Sequence, residues 1–263
     1  MSVEYGTKGL IGILTPQANT TVEPECSILL PPGYAMIAAR LTSSKPTIDD
    51  RLVDYLEAID ATLDRFANAP VDAYGFACTG ASYLVGAERE AEMVKRISGE
   101  RNRPFVTAGN AIADALTAVD ATSVSIVSPY DDPLHQAGLD YWTSRGLEIA
   151  CVSRLTGSQT EFHPIYSLGS DASRAGAQEA AACGADAVVM LGTGLPTLAA
   201  ILRTADDPLP VLSSNLCLMW RTTLATTGQA PTAANLRPWL DGSGWRARFE
   251  LQVVQDQHLG MTE

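Results

Sequence analysis

Cys78 has the clearest capacity for covalent or proton-transfer chemistry in this chain. It follows the apolar run Ala73–Ala77 and begins the segment Cys-Thr-Gly-Ala-Ser, which is typical of the start of a helix. A helix N-terminus lowers the pKa of a thiol, and the resulting thiolate is the nucleophilic form. The alternative is that Cys78 is a small buried residue filling the edge of a sheet. Its position alone is compatible with either interpretation.

Polar residues also follow the first apolar run of the chain. In Thr15-Pro-Gln-Ala-Asn-Thr-Thr21, Asn19 and Thr20 offer an amide, a hydroxyl and backbone donors where a loop enters a helix. The alternative is an ordinary N-cap with Glu23 in the first turn.

Two residues of the second half are further candidates. Tyr130, after Ser128-Pro, is either buried structure or a phenol donor aimed at a carboxylate. His163 lies in the loop Glu161-Phe-His-Pro-Ile-Tyr166. It is either an acid or base acting beside Cys78, or a surface histidine in a capping loop.

Cysteine usage bears on redox state and on metals. The five cysteines are far apart and include no CxxC pair: Cys26, Cys78, Cys151, Cys183 and Cys217. An odd number without a secretory signal predicts reduced thiols in the cytoplasm, and those other than Cys78 are interpreted as structural. None of the three histidines is close in sequence to a cysteine, so we expect no zinc or other metal site.

Composition narrows the class of protein. Hydrophobic residues make up 46% of the 263 residues and charged residues 18%, enough to bury one large core or two smaller ones. The net charge of −12 argues against nucleic acid and anionic membranes as partners. No apolar run approaches the roughly 20 residues of a membrane span, and the polar N-terminus does not resemble a signal peptide.

Short apolar runs alternate with amphipathic stretches, which predicts parallel sheets with right-handed crossovers. The runs are continuous, as expected for strands covered on both faces. The clearest amphipathic stretch extends from Leu52 to Phe66, with Asp49 or Asp50 available as its N-cap. The predicted strands are Leu10–Leu14, Ala35–Leu41, Ala73–Ala77, Phe105–Thr107, Val124–Val127, Leu147–Val152, Ala187–Leu191 and Val211–Leu212.

The two halves of the chain share a pattern. Ala73–Ser82 and Ala187–Pro196 each read as a buried strand ending in small residues, followed by Thr-Gly and a helix. Such strand ends leave free amides at the carboxyl edge of a sheet, where sites of α/β proteins form. Two edges of this kind facing each other would enclose a small cavity.

In combination, these segments resemble the aspartate/glutamate racemase superfamily, and within it the branch of maleate cis-trans isomerase and arylmalonate decarboxylase. The matching stretches occur in order along nearly the whole chain. They are Gly12–Thr21, Phe76–Ser82, Val124–Tyr130, Leu191–Thr197 and Ser213–Trp220.

The resemblance implies an α/β fold of two pseudo-symmetric parallel-sheet domains, with the active site in the cleft between them. We predict a first domain of residues 1–112 plus 214–263 and a second of residues 113–213. The resemblance also implies no metal and no organic cofactor, and a homodimer is the default for the superfamily.

Roles of individual residues follow from the same resemblance. Asn19 with Thr20 would hold a substrate carboxylate, and Tyr130 would be a second carboxylate ligand. Cys78 would be the thiolate that adds to a double bond, with Thr79 and Gly80 in the oxyanion pocket beside it. Gly192, Thr193 and Gly194 would line the cleft from the second half. Arg40, Thr42 and Ser43 correspond to the side pocket of the family, which suggests a polar substrate group there.

One departure from the family pattern limits the reaction. Racemases and maleate isomerases have a second cysteine where this chain has Gly192, and two-base racemisation needs an acid on one face and a base on the other. Arylmalonate decarboxylase has its single cysteine in the second half, the reverse of this chain. His163 or Thr193 would have to take the role of the missing acid.

We therefore predict a cofactor-independent isomerase or lyase acting on a small carboxylic or dicarboxylic acid, similar to maleate isomerase. Cys78 would be its nucleophile or proton carrier. One alternative is a decarboxylase of malonate-like acids that protonates its product from the Cys78 face. Another is a carboxylate-binding protein without catalytic activity.

Overall fold

The computed structural model of the protein describes residues 4–158 and 163–259. Two parallel sheets of four strands each form its framework. The first comprises β1 (Gly9–Pro16), β2 (Tyr34–Leu41), β3 (Ala73–Phe76) and β4 (Phe105–Thr107), in the order β2-β1-β3-β4. The second comprises β5 (Ser123–Ser128), β6 (Glu148–Arg154), β7 (Ala187–Met190) and β8 (Val211–Ser213), in the order β6-β5-β7-β8.

All eight predicted strands are confirmed, and so is the pseudo-symmetry, because the strand order is the same in both halves. The prediction that every strand is covered on both faces is wrong for β2 and β6. Both are partly exposed along their length, whereas β4 and β8, at the opposite edges of the two sheets, are fully buried.

Helices connect the strands and cover the sheets. They are α1 (Val22–Leu29), α2 (Ile48–Glu57), α3 (Ile59–Leu63), α4 (Thr79–Arg101), α5 (Ala108–Ala118), α6 (Leu134–Ser144), α7 (Ser170–Ala181), α8 (Leu198–Arg203), α9 (Ser214–Thr226), α10 (Ala233–Leu240) and α11 (Arg246–Leu259). Short 3-10 helices span Asp64–Phe66 and Pro164–Ser167. Within the described residues, no helix combines the length and the apolar character needed to cross a membrane.

The amphipathic stretch from Leu52 to Phe66 is divided between α2, α3 and a 3-10 helix, although its apolar face is turned inward as predicted. Its N-cap is neither Asp49 nor Asp50. Thr47 is the last extended residue, and its hydroxyl accepts a hydrogen bond from the amide of Asp50. A threonine in extended backbone directly before a helix is well suited to this role.

The chain returns to the first sheet after completing the second. Helix α9 follows β8 but packs against β1, β3 and β4, and beside α5. Residues after 213 therefore help to form the core of the first half, where Trp220 of α9 is fully buried. This packing supports the predicted division into 1–112 plus 214–263 and 113–213, which stays a prediction.

Cys151 of β6 and Cys183, two residues after α7, form a disulfide, so the prediction that all five thiols are reduced is wrong. Their Cα atoms are 6.2 Å apart, within the range that a disulfide can bridge. Sequence spacing could not reveal this proximity, because the pair is 32 residues apart and depends on α7 packing beside β6. Cys26, Cys78 and Cys217 are free and buried.

Candidate active site

Cys78 lies two residues beyond the end of β3 and is the N-cap residue of α4. Only 4% of its surface is exposed. Burial raises the pKa of the thiol to about 12, and the backbone amides of Ala81 and Gly80 oppose this shift only in part. The expectation of a lowered pKa is therefore wrong, because the loss of solvation outweighs the effect of the helix terminus. The thiol is protonated at neutral pH.

Cys78 faces a cavity of about 50 Å³ to which both halves of the chain contribute. The first half supplies Pro16, Ala18, Asn19, Ile48, Arg51, Leu52, Tyr55, Cys78, Thr79 and Gly80, and the second supplies Tyr130, Leu134, His163, Ile165, Tyr166, Thr193 and Gly194. A cavity of this size suits a small ligand. In the part of the chain that the structure describes, no cluster of three or more potential metal ligands occurs.

Most of the predicted site residues meet at this cavity. Cys78, His163, Asn19, Thr79, Gly80, Tyr130, Thr193 and Gly194 all line it. Thr20 does not, because its side chain is exposed to solvent outside the cavity. Gly192 also lies outside the lining and directly behind it. The roles predicted for these residues stay predictions.

Hydrogen bonds between the halves fix the polar walls. The Asn19 Nδ2 donates to Thr193 Oγ1 at 3.1 Å, and Thr193 Oγ1 donates to the Ala77 carbonyl at 2.8 Å. The hydroxyls of Thr79 and Tyr130 are 2.8 Å apart and share a hydrogen bond. Because the Thr193 proton is directed at Ala77, Thr193 is poorly placed to act as the missing acid.

The side chain of Asn19 both caps α1 and lines the cavity. Its Oδ1 accepts hydrogen bonds from the amides of Thr21 (2.9 Å) and Val22 (3.0 Å), which satisfies the first amides of α1. The same side chain lines the cavity. Arg40 supports the loop by donating to the carbonyls of Pro16 and Asn19. Arg40 does not line the cavity itself, and neither do Thr42 and Ser43.

Gly192 occupies the place in the second half that Cys78 occupies in the first, two residues beyond the end of its strand. Its φ is +88°, a conformation that favours glycine. A Cβ at this position would approach Ile165 Cδ1 to 2.6 Å and Pro129 Cγ to 3.0 Å. Ile165 therefore fills the space that a second thiol would need.

His163 is buried, with 5% of its surface exposed, so it is not the surface histidine considered as the alternative. It does cap a helix, because its Nδ1 accepts a hydrogen bond from the Ile165 amide at the start of the 3-10 helix Pro164–Ser167. Burial lowers the pKa of the ring. The imidazole is therefore neutral at pH 7, and the hydrogen bond to Nδ1 assigns its proton to Nε2.

Sequence reasoning missed three residues with titratable side chains that line the cavity: Arg51, Tyr55 and Tyr166. Burial raises the pKa of Tyr55 to about 12 and also raises that of Tyr166, with nearby Cys78 adding to both shifts. Tyr55 belongs to the apolar face of the predicted amphipathic stretch from Leu52 to Phe66, and it is buried in α2. Arg51 precedes it by four residues on the same helix face, but the sequence did not indicate that this face borders a cavity.

The structure is that of a two-lobed α/β protein with a thiol in the cleft between its sheets. A family model described as arylmalonate decarboxylase matches residues 11–236. The chain therefore belongs to the arylmalonate decarboxylase family.

Its relatives include two maleate isomerases. That of Pseudomonas putida KT2440 is 31% identical over 150 residues, covering 53% of this chain and 60% of the relative. The match thus spans less than two thirds of the relative's length. That of Geobacillus stearothermophilus is 25% identical over 225 residues, covering 78% of this chain and 86% of the relative.

Solved structures share the fold. The maleate isomerase Iso of Pseudomonas putida S16 has a TM-score of 0.75 at 23% identity, with 84% of this chain and 93% of the other covered. A mutant maleate cis-trans isomerase of Nocardia farcinica was solved with a covalently bound succinylcysteine intermediate. It has a TM-score of 0.72 at 19% identity, with 87% of this chain and 98% of the other covered. An arylmalonate decarboxylase has a TM-score of 0.69 at 18% identity, with 83% of this chain and 93% of the other covered.

Proposed function

We propose that this protein is a cofactor-independent isomerase acting on a small unsaturated dicarboxylate, with Cys78 as nucleophile and proton carrier. The observation that carries the proposal is the position of Cys78, the one thiol among the described residues lining the cavity, at the N-terminus of α4. The curated relatives support it, because they are maleate isomerases. The Nocardia structure supports the role of a thiol, because that protein holds a succinylcysteine intermediate.

The reaction begins with addition of the thiol across the double bond. Sγ of Cys78 bonds to one alkene carbon, the π electrons move to the other carbon, and that carbon takes up the proton that leaves the thiol. The former double bond is now single and rotates. Loss of a proton from the second carbon and cleavage of the C–S bond then restore the alkene and the thiol. Because a protonated thiol supplies both the nucleophile and the proton, this sequence needs no second cysteine.

Negative charge develops on a carboxylate when the thiol adds. The N-terminus of α4 presents the Gly80 amide and the Thr79 hydroxyl beside Cys78, and Asn19 lies on the neighbouring wall. Preorganised donors of this kind stabilise developing charge without reorganisation. His163 lines the same cavity, and we propose that its neutral imidazole helps to stabilise this charge, while the proton comes from Cys78.

Proton NMR in deuterated water tests the proposal with maleate, methylmalonate and phenylmalonate as substrates. We expect wild type to convert maleate to the trans isomer with deuterium incorporation, and Cys78→Ala to lose this activity by at least about 100-fold. Cys217→Ala is the matched control, because Cys217 is equally buried but does not line the cavity. Turnover that survives in Cys78→Ala would reject the mechanism.

A decarboxylase of malonate-like acids is the second candidate, favoured by the protonated state of the buried thiol. In this reaction the C–C bond to one carboxylate breaks, CO2 leaves, and the electron pair forms an enediolate that takes the thiol proton at carbon. Solvent then restores the proton on sulfur. Product configuration in deuterated water distinguishes the two branches, because the proton would arrive from the face opposite to that of an enzyme with its cysteine in the second half. Ligand stabilisation without turnover of any acid would instead support the non-catalytic binder.

We further propose, from the sequence, that the protein is cytoplasmic and forms a homodimer. We also propose that it binds a small carboxylate and uses no organic cofactor. Structures of two relatives contain a small ligand: maleate in the Pseudomonas putida S16 enzyme and Tris in the Nocardia farcinica enzyme. Light scattering of the purified chain measures the oligomeric state directly.

A further inference from the structure

We propose that Tyr166 is a further substrate-binding residue, whose hydroxyl donates a hydrogen bond to the end of the substrate remote from Cys78. This inference rests on the proposed function, because it concerns the same cavity. It assigns a role to a residue for which the sequence suggested none. A substrate held in this way spans the cleft, with its reacting carbon at the first half and its remote end at the second.

The ring of Tyr166 forms part of the cavity wall that the second half contributes. Tyr166 lies in the 3-10 helix Pro164–Ser167, and the edge of its ring rests on Gly194, which lines the same cavity. A Cβ at Gly194 would approach Tyr166 Cε1 to 2.7 Å and Cδ1 to 3.1 Å. Cε1 is the carbon next to the one that bears the hydroxyl, so the hydroxyl end of the ring lies beside Gly194.

Tyr166 differs from the other two tyrosines that line the described cavity in the bonding of its hydroxyl. Tyr130 shares a hydrogen bond of 2.8 Å with the hydroxyl of Thr79. Tyr55 has a hydrogen bond with the backbone of Gln17, which opposes the rise of its pKa. Within the described residues, the hydroxyl of Tyr166 has no hydrogen-bond partner. It can therefore donate to a ligand without giving up a bond inside the protein.

Electrostatic coupling places the phenol oxygen of Tyr166 on the cavity side. Burial raises the pKa of Tyr166, and negative charge on Cys78 or Tyr55, which both line the cavity, raises it further. Because such effects weaken with distance, the oxygen lies toward these two groups. The raised pKa keeps the phenol protonated at neutral pH, and a protonated phenol is a hydrogen-bond donor. None of the described cavity-lining residues is an aspartate or glutamate, so no carboxylate of this wall competes for that proton.

The two walls of the cavity would hold different ends of the substrate. Asn19 and Thr79 line the cavity from the first half, together with Cys78, and would receive the carboxylate next to the reacting carbon. Tyr166 would receive the remote carboxylate from the second half. A hydrogen bond to a charged acceptor is stronger than one between neutral groups, so one phenol can fix that end. With both ends fixed, the double bond is oriented against the sulfur of Cys78.

Calorimetric titration with maleate tests the inference in a Cys78→Ala background, which separates affinity from turnover. We expect Tyr166→Phe to weaken maleate binding by about 10- to 100-fold, the usual effect of removing a hydrogen bond to a charged group. The Tm without ligand should not fall, because the ring stays and the lost hydroxyl has no partner in the described part of the chain.

Tyr74→Phe is the matched control. Tyr74 is also half-buried, its hydroxyl has no partner among the described residues, and it lies outside the cavity. Its substitution should change neither the maleate affinity nor the Tm. Unchanged affinity in Tyr166→Phe would overturn the inference. A loss of affinity accompanied by a lower Tm would also overturn it and assign the hydroxyl a structural role, as would failure of the Cys78→Ala protein to bind maleate.

Turnover with Cys78 intact keeps this inference separate from the proposed function. Isomerisation of maleate with an unaltered KM in Tyr166→Phe would reject the inference and leave the function standing. Binding that depends on Tyr166, without turnover of any acid by wild type, would reject the function and leave the inference standing.

Discussion

The protonation state of a single sulfur governs the chemistry available at the residue scale. Burial keeps Cys78 protonated, so the thiol enters a reaction with its own proton. In the second half, Gly192 and the side chain of Ile165 take the place where an opposing thiol would lie. Chemistry in this cavity is therefore expected to proceed from the Cys78 side, which favours one-sided proton delivery over racemisation.

Gly192→Ala tests whether position 192 can accommodate a side chain. The substitution adds a Cβ that overlaps Ile165, and it also places a side chain at φ +88°. Gly146→Ala is the matched control, because Gly146 has φ +82° and no neighbouring atom within 4 Å of the added Cβ. We expect Gly192→Ala to lower the free energy of unfolding by about 1–3 kcal/mol more than Gly146→Ala in urea denaturation. Equal losses would mean that the position has room for a second thiol.

At the scale of elements, a buried carboxylate joins the two halves beside the cavity. Glu25 of α1 accepts hydrogen bonds from the amides of Thr197 (2.5 Å) and Leu198 (3.2 Å), where α8 begins. It also accepts from Nδ2 of Asn215 in α9 at 2.8 Å, and the same Nδ2 donates to Thr193 O at 3.0 Å. The segment that carries Thr193 is thus held through Glu25 and Asn215.

Glu25→Gln tests this arrangement. The amides of Thr197 and Leu198 and Nδ2 of Asn215 all donate to Glu25, so the NH2 of glutamine must face one of them and leave a buried donor unsatisfied. We expect a loss of about 1–3 kcal/mol in the free energy of unfolding. Glu23→Gln on the same helix should cost less than about 1 kcal/mol, because the Glu23–Arg40 pair is partly exposed. Similar losses in both variants would show that the hydrogen bonds of Glu25 stabilise the protein no more than the partly exposed Glu23–Arg40 pair does.

On the scale of the whole molecule, the sheets repeat one strand order and share one cavity, while the disulfide belongs to the second half alone. Cys151 and Cys183 join the edge strand β6 to the residues after α7, and neither residue lines the cavity. The bond should therefore affect the stability of the protein without affecting its chemistry.

Thiol titration and denaturation test the disulfide together. Under denaturing, non-reducing conditions we expect three reactive thiols, and all five after reduction. Closure of a loop of 32 residues should contribute about 3–4 kcal/mol to the free energy of unfolding. Cys183→Ser should lose this amount and make stability insensitive to reductant, with turnover retained. Five reactive thiols before reduction would contradict the bond.

The sequence by itself predicted the eight strands, their parallel arrangement, the repeated half and the thiol at a strand end. These features depend on local patterns, because continuous apolar runs mark buried strands and small residues mark the strand-to-helix turns where sites form. The positions of Cys78, Thr79 and Gly80 follow from a single strand and the helix after it. The local sequence was therefore sufficient to predict all of these features.

The tertiary structure alone decided which side chains meet and how burial changes them. The pKa of Cys78 rises because atoms from both halves exclude water, and no local pattern reports desolvation by distant elements. Arg51 reaches the cavity because α2 packs there, and Thr20 lies outside it because its side chain, two residues before α1 begins, is turned to solvent. The Cys151–Cys183 bond likewise depends on how α7 packs on β6. Proximity between residues far apart in sequence is set by packing, and a single sequence carries little direct record of it.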